Sequence, residues 1–248
     1  MTRATTLPPE VESTDRSVLI EGRGLDKSYR RGPEEVHALR GASFELRRAE
    51  VVALMGPSGS GKTTLLNLIC GWEEPEAGVL RWADGPDVPP ATRPWSEIAI
   101  VPQDLGLIEE LSVVENVELP LRLTGNLDRS GRERAMALLR AFGLDRYADR
   151  APGEVSLGEQ QRVAVSRALI VVPALILADE PTGHQDAGWA GTVFRAFRWA
   201  ARRGSTSLVA THSAEFLRFA DRVLAIRDGE INRAEVGQMG PGAQSEEG

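Results

Sequence analysis

The chain contains a single cysteine, Cys70, so an internal disulfide framework and a cysteine-based zinc cluster are both excluded. It also lacks any run approaching the roughly eighteen apolar residues that cross a bilayer. The longest candidate, 168–178, is short and interrupted by Pro173. At the N-terminus, Pro8, Pro9, Glu10 and Glu12 stand where a signal peptide needs an apolar core. A cytoplasmic protein, soluble on its own, is therefore expected, with any membrane role supplied through a partner. Positive charge is in deficit too: 29 Lys and Arg against 36 Asp and Glu leave a net charge of −7. That balance argues against a dedicated nucleic-acid binder, because affinity for a phosphate backbone needs clustered positive charge. Lysine itself occurs only at positions 27 and 62.

What is present is one α/β unit. The 248 residues suffice for a single domain, or a domain with a subdomain, that buries a substantial core. Residues 1–17 and 232–248 are polar and are expected to form disordered tails around an ordered 18–231. No internal repeat is evident. Apolar runs without alternation at 51–55, 98–101, 174–178, 207–210 and 223–226 predict buried strands of a mainly parallel sheet. An amphipathic stretch that includes 42–46 suggests an antiparallel β portion. Residues 112–170 contain no convincing strand and are rich in Leu, Ala, Arg and Glu, which predicts an inserted helical subdomain spanning about 104–170. A helix over 189–203 places Trp189, Val193, Phe197 and Ala200 on one stripe, with Arg195, Arg198 and Arg202 on a solvated face.

Two segments carry chemistry. Gly56-Pro57-Ser58-Gly59-Ser60-Gly61-Lys62-Thr63 follows a predicted strand, opens a predicted helix and satisfies G-x-x-x-x-G-K-[ST]. Glycines let successive amides curl inward toward phosphate oxygens, and the following helix adds the positive end of its dipole. Lys62 can reach the β- and γ-phosphates, and the Thr63 hydroxyl can ligate Mg²⁺. Further on, an apolar strand ends in Asp179-Glu180. With a phosphate loop in the same chain, Asp179 is expected to hold magnesium and Glu180 to orient or deprotonate the attacking water.

With these motifs in place, 18–231 resembles the ATP-binding cassette (ABC) ATPases, whose P-loop core combines a mainly parallel sheet, an antiparallel β portion and an inserted helical subdomain. Ser156-Leu157-Gly158-Glu159-Gln160-Gln161-Arg162 is similar to the family signature. Gln103 matches the Q-loop glutamine, His212 the switch histidine, and Tyr29 the aromatic residue that stacks on adenine. The resemblance implies that Lys62, Gln103, Glu180 and His212 serve catalysis. It further implies that Tyr29, Gly56 to Thr64, Ser156, Gly158 and Glu159 contact ATP, and that Thr63, Gln103 and Asp179 attend the metal. It also implies two copies paired head to tail, each ATP lying between one phosphate loop and the other chain's signature, so that ATP joins the subunits and hydrolysis releases them.

Two departures stand out. Leu157 occupies the usual first signature glycine, and Val155 the usual leucine. Either Leu157 obstructs closure, or it points away from ATP and Gly158 alone must stay small. His184-Gln185-Asp186 stands where close relatives have Asn-Leu-Asp, which alters the expected contact between subunits. The phrases at 38–46, 55–71, 117–121 and 178–183 most resemble ATPases of the macrolide-efflux, lipoprotein-release and cell-division group. That resemblance implies a separate membrane permease, extrusion or force transmission rather than uptake, and a peripheral position on the inner face of the membrane. The Pro-rich segment 84–95 gives no clue to substrate. A permease is expected to contact 104–116, where Leu105, Leu107, Ile108 and Leu111 offer apolar anchors and Glu109 and Glu110 offer charge. The alternative function is a regulatory or structural ATP-dependent interaction protein, handicapped in hydrolysis by Leu157. Tandem cassettes, zinc modules and long coiled coils, expected of a nucleic-acid ABC protein, are missing from the sequence.

Overall fold

The apolar runs form strands that are buried on both faces, which explains why they do not alternate. In the computed structural model, which describes residues 15–83, 93–94 and 96–234, Val51–Met55 (β3) divides its side chains between two cores. Val51 and Ala53 face one and Val52 and Leu54 the other, all fully buried. Leu175–Asp179 (β6) does the same, with Ile176 and Ala178 on one side and Leu175 and Leu177 on the other. A strand covered twice has no solvent face to mark with polar residues. Of the expected tails 1–17 and 232–248, residues 1–14 and 235–248 lie outside the described residues, as does most of the Pro-rich segment 84–95, whereas 232–234 complete a strand, Glu230–Ala234, rather than beginning a tail.

Two sheets result. The first is antiparallel, with β1 (Val18–Arg31) between β2 (Glu34–Arg47) and β4 (Ala77–Trp82). The second has the order β5-β6-β7-β3-β8-β9, from Ile98–Val101 (β5), Thr206–Ala210 (β7), Arg222–Arg227 (β8) and Glu230–Ala234 (β9). All neighbours in it are parallel except β8 and β9. The expected α/β architecture, with a mainly parallel sheet and an antiparallel portion, is therefore observed. One core packs the antiparallel sheet and helix α1 (Lys62–Cys70) against the parallel sheet. The other core packs α2 (Val113–Leu123), α3 (Arg129–Ala141), α4 (Leu157–Leu169) and α5 (Ala187–Arg202) on the opposite face.

Local chemistry sets the helix ends. Ser112 and Ser156 each close a capping box, with Glu115 and Glu159 respectively, at the starts of α2 and α4. Asp186 accepts a hydrogen bond from the Trp189 amide at 3.0 Å, so α5 begins at Ala187, two residues before the expected start. Val193, Phe197 and Ala200 are buried as the helical period predicts, and Phe194 joins them, 4.9 Å from Phe216 between ring centroids. Arg198 departs from the expected solvated face. Half-buried, it donates to Asp221 at 2.7 Å, and Asp221 also accepts from the Val51 amide at 2.8 Å, tying α5 to the start of β3.

Candidate functional site

The carboxyl ends of β3, β6 and β7 lie side by side, and the chemistry-bearing residues leave the sheet there. This is the edge at which open α/β sheets bind ligands. After β3 the chain turns through 56–61 into α1. A Cβ on Gly56 would stand 2.1 Å from the Ile226 carbonyl oxygen, and one on Gly61 2.2 Å from that of Ala38. Gly61 also has φ 103°, so both steric space and backbone conformation demand glycine there. Pro57, Ser58 and Gly59 form the exposed rim of this loop. The Lys62 ammonium folds back over it and donates to the carbonyls of Gly56 at 2.8 Å and Pro57 at 2.9 Å. The Ser60 hydroxyl is buried with no hydrogen-bond partner. A curled loop with a poised cation and an unsatisfied donor suits the phosphate chain of a nucleotide.

From α1, the Thr63 hydroxyl donates to Asp179 Oδ2 at 2.6 Å. Gln103, exposed in the turn after β5, lines the same hollow of about 500 Å³ as Thr63 and Asp179. Among the described residues no group of three His, Cys, Asp or Glu side chains converges as a metal cage. One hydroxyl and one carboxylate beside a phosphate loop instead match the ligand set of Mg²⁺, which keeps waters and takes its remaining ligands from phosphates. The donor set therefore fits the metal.

Glu180 follows Asp179 with φ 49°, a left-handed conformation unusual for a residue with a side chain. Three hydrogen bonds hold it there. Its amide donates to the Ala210 carbonyl at 2.9 Å, and its carbonyl accepts from the Gly183 amide at 3.1 Å and from Gln161 Nε2 at 2.8 Å. Strained backbone of this kind persists where the surroundings over-determine it. The conformation brings Glu180 Oε1 to 3.0 Å from Nδ1 of His212, at the end of β7. The expected pair of carboxylate and histidine is thus assembled from strands adjacent in the sheet.

Tyr29, half-exposed on β1, donates to Glu73 Oε2 at 2.5 Å. Glu73 also accepts from Asn67 at 2.9 Å and lies 3.5 Å from the Lys27 ammonium. Burial, followed by the hydrogen bond to Glu73, raises the Tyr29 phenol above its ordinary value, against a smaller downward pull from Thr64. For Glu73, burial acts upward but is outweighed by the hydrogen bonds from Tyr29 and Asn67 and by Lys27, so its carboxyl falls below the usual range. Neither Asn67 nor Glu73 follows from a sequence motif. Both were invisible until the end of α1 was folded against β1.

The signature residues lie on a different element. Ser156 caps α4, its hydroxyl donating to Glu159 at 2.8 Å and accepting from the Glu159 amide at 3.3 Å. Burial tends to raise the Glu159 carboxyl, but the Ser156 amide and hydroxyl hold it below the usual range. The helix begins at Leu157, which has a helical backbone and a half-exposed side chain. Its φ is not positive, so its backbone is unstrained. Gly158 is constrained instead: a Cβ there would stand 2.8 Å from the His184 carbonyl oxygen. Among the described residues no hydrogen bond joins Ser156, Gly158 or Glu159 to the phosphate loop. The expected nucleotide contacts thus fall into two groups within one chain, the loop with Tyr29, and the start of α4.

A groove of about 560 Å³ runs along the segment after Gln103, lined by Trp72, Pro94, Ile100, Ile108, Leu119, Leu123 and Arg167 among others. The expected anchors divide here. Leu105 is buried, Leu107 and Leu111 are partly buried, Leu107 packing against the same core, and Ile108 is exposed. Trp72 and Leu123 are its most exposed large apolar side chains, at 60% and 65% exposure. The segment is held from beneath by fully buried Asn116, whose amide group donates to the carbonyls of Ile108, Leu111 and Ser112 and accepts from the Ile108 amide. No described helix is long and apolar enough to cross a membrane.

Comparisons with known proteins agree with this geometry. A family model described as ABC transporter matches residues 39–183. A lipoprotein-releasing system ATP-binding protein, LolD, of Gluconobacter oxydans (strain 621H) is 44% identical over 228 residues, which cover 90% of this chain and 98% of that protein. The macrolide export ATP-binding/permease protein MacB of Syntrophobacter fumaroxidans (strain DSM 10017 / MPOB) is 42% identical over 231 residues, 90% of this chain but 32% of that longer protein. Among solved structures, the dimeric ATP-binding cassette MJ0796 in a post-hydrolysis state, bound to ADP and Pi, has a TM-score of 0.80 and 33% identity over 88% of this chain and 99% of that one. The chain belongs to the ABC transporter family, as an ATP-binding subunit that hydrolyses ATP.

Proposed function

We propose that this subunit drives a separate membrane permease by closing and opening a head-to-tail dimer around two ATP molecules. The observation that carries the reading is the division of the site: the phosphate loop lies with Asp179, Glu180 and His212, and among the described residues no hydrogen bond joins Ser156, Gly158 or Glu159 at the α4 N-terminus to that loop. Ser156 and the Gly158 amide then meet the γ-phosphate held by the partner copy, where helix-end amides and the helix dipole favour an anion.

Within one protomer, Tyr29 stacks on the adenine, and 56–61 with Lys62 and Thr64 surrounds the phosphates. Thr63, Asp179 and Gln103 are the residues to hold Mg²⁺, which when bound neutralises charge on the β- and γ-phosphate oxygens. Glu180 orients a water toward the γ-phosphorus and takes its proton as the bond to ADP breaks. His212, 3.0 Å from Glu180, fixes that carboxylate.

The groove beside Trp72, Ile108 and Leu123 is the permease contact. Glu109 and Glu110, exposed and next to Ile108 in sequence, suit basic residues of a cytoplasmic permease segment. The names of the relatives, lipoprotein release and macrolide export, support extrusion or force transmission and a peripheral position at the inner face of the membrane. Replacing Glu180 with Gln is the direct test. Turnover should fall by about 10²–10⁴-fold while ATP binding survives, the usual cost of losing a general base. Normal hydrolysis by Glu180→Gln removes Glu180 from this role.

A further inference from the structure

The loop after Glu180 is fastened to the signature helix by side-chain amides. Gln185 uses both ends of its amide on the first turns of α4. Its Nε2 donates to the Gly158 carbonyl at 2.7 Å and to Gln161 Oε1 at 3.1 Å, and its Oε1 accepts from Arg162 Nη1 at 2.8 Å. Gln161, nearly fully buried, accepts from the His184 amide at 3.2 Å and donates to the Glu180 carbonyl at 2.8 Å. Arg162 is locked as well, donating to the Phe142 carbonyl at 3.1 Å with its guanidinium 4.2 Å from the Trp189 ring centroid. A continuous series of hydrogen bonds therefore runs from the backbone of Glu180 through Gln161 and Gln185 to the backbone of Gly158.

We infer that Gln185 is a positioning residue that holds the Glu180 loop and the signature turn at Gly158 in one fixed register. It rests on the head-to-tail reading above for its consequence: Glu180 acts on a protomer's own ATP and Gly158 on its partner's. In that arrangement the Gln185 amide is the mechanical link between the two sites. Three observations make the link specific. The donor and acceptor ends of one side chain are both engaged by α4. Gly158 packs against the His184 carbonyl with no room for a Cβ. The strained Glu180 backbone depends on Gln161, which Gln185 orients. Where this chain has Gln, the family pattern has Leu, which fills similar volume but cannot make any of these bonds.

The test uses two variants of the full chain, assayed for Mg-ATP hydrolysis. Gln185→Leu removes all three bonds at similar volume, and Gln185→Glu keeps the acceptor for Arg162 but loses both donations. Both should lower kcat by about tenfold, the equivalent of about 1.4 kcal/mol. KM for ATP should stay within about twofold, because Tyr29 and the phosphate loop are untouched. Melting temperatures near that of the parent will show that the fold is retained. If kcat is unchanged in both variants, or if Gln185→Glu restores it fully, the link is refuted, the latter result leaving Gln185 as a mere partner for buried Arg162. A loss that appears wholly in KM also refutes it. Placing Gln185→Leu in the Glu180→Gln background separates this inference from the reading beneath it. ATP-dependent dimers that form there, alongside a reduced kcat in the single variant, support the link. Failure of Glu180→Gln alone to dimerise with ATP refutes the head-to-tail reading, and with it the coupling of two sites, whatever the kcat of Gln185→Leu.

Discussion

Adding one methyl group at Gly158 should damage this protein more than removing the whole side chain of its neighbour Leu157. A Cβ on Gly158 would stand 2.8 Å from the His184 carbonyl oxygen, and because that atom is backbone it cannot swing aside. The loop must retreat by roughly 0.6 Å to reach ordinary contact, and overpacking of this kind costs about 1–3 kcal/mol. For a chain of this size, about 2 kcal/mol lowers Tm by about 4–8 °C. The displaced loop also carries Glu180, so turnover should fall together with stability. Leu157→Gly makes the opposite case. Leu157 is half-exposed at the first position of α4, and its loss costs about 0.5–1 kcal/mol of helix propensity. Thermal unfolding and steady-state ATPase assays on the two variants read both effects. A severalfold gain in turnover for Leu157→Gly would mean that Leu157 obstructs closure. A Gly158→Ala protein of parental stability would mean that the packing against His184 is not a constraint.

Other perturbations follow from the same geometry. Arg222, buried against Glu50 at 2.7 Å and bonded also to the Glu45 carbonyl, closes the end of the sheet remote from the site. Arg222→Ala strands the Glu50 carboxylate and should destabilise by about 3–5 kcal/mol, measured by denaturant titration. Glu73 titrates below the ordinary carboxylate range, so the stability it contributes is complete above that range and disappears as pH falls through its depressed folded value. Stability measured against pH should therefore fall less steeply on the acid side in Glu73→Gln, and KM for ATP should rise in Glu73→Ala, where Tyr29 loses its acceptor. Leu123→Glu, at a residue 65% exposed, should shift stability by less than about 0.5 kcal/mol yet abolish stimulation of the ATPase by the permease.

The strands most legible in the sequence were those whose two faces both enter the core. The run at 51–55 is β3 to the residue, and those at 98–101, 174–178, 207–210 and 223–226 are within a residue or so of β5, β6, β7 and β8. β1 was missed because its pattern is broken by Gly22, Gly24 and Asp26. Its pairing with β2 shifts register repeatedly, and a Cβ on Gly22 would stand 2.5 Å from the Phe44 ring. β9 has one central apolar residue, Ile231, and exists because β8 offers it an edge. The site divides similarly. The phosphate loop and the Asp179-Glu180 pair are contiguous in sequence, so spacing alone exposes them. The Glu73 support for Tyr29, the Gln161 bond to Glu180 and the Trp72–Leu123 groove join residues 19 to 51 positions apart, and only the folded chain brings them together. Gln185 was visible as a departure from the family pattern, but its partners Gly158 and Arg162 could not be read until the loop lay on α4.

The central claim is that a complete ATP site requires two copies of this chain. It is tested most directly by the mass and nucleotide content of Glu180→Gln incubated with ATP, compared with the same protein carrying Ser156→Arg as well. The account predicts a dimer retaining two ATP molecules for Glu180→Gln, and for the double variant a monomer that still binds ATP through its own phosphate loop. ATP retained by a monomeric Glu180→Gln, or a dimer indifferent to Ser156→Arg, would contradict it.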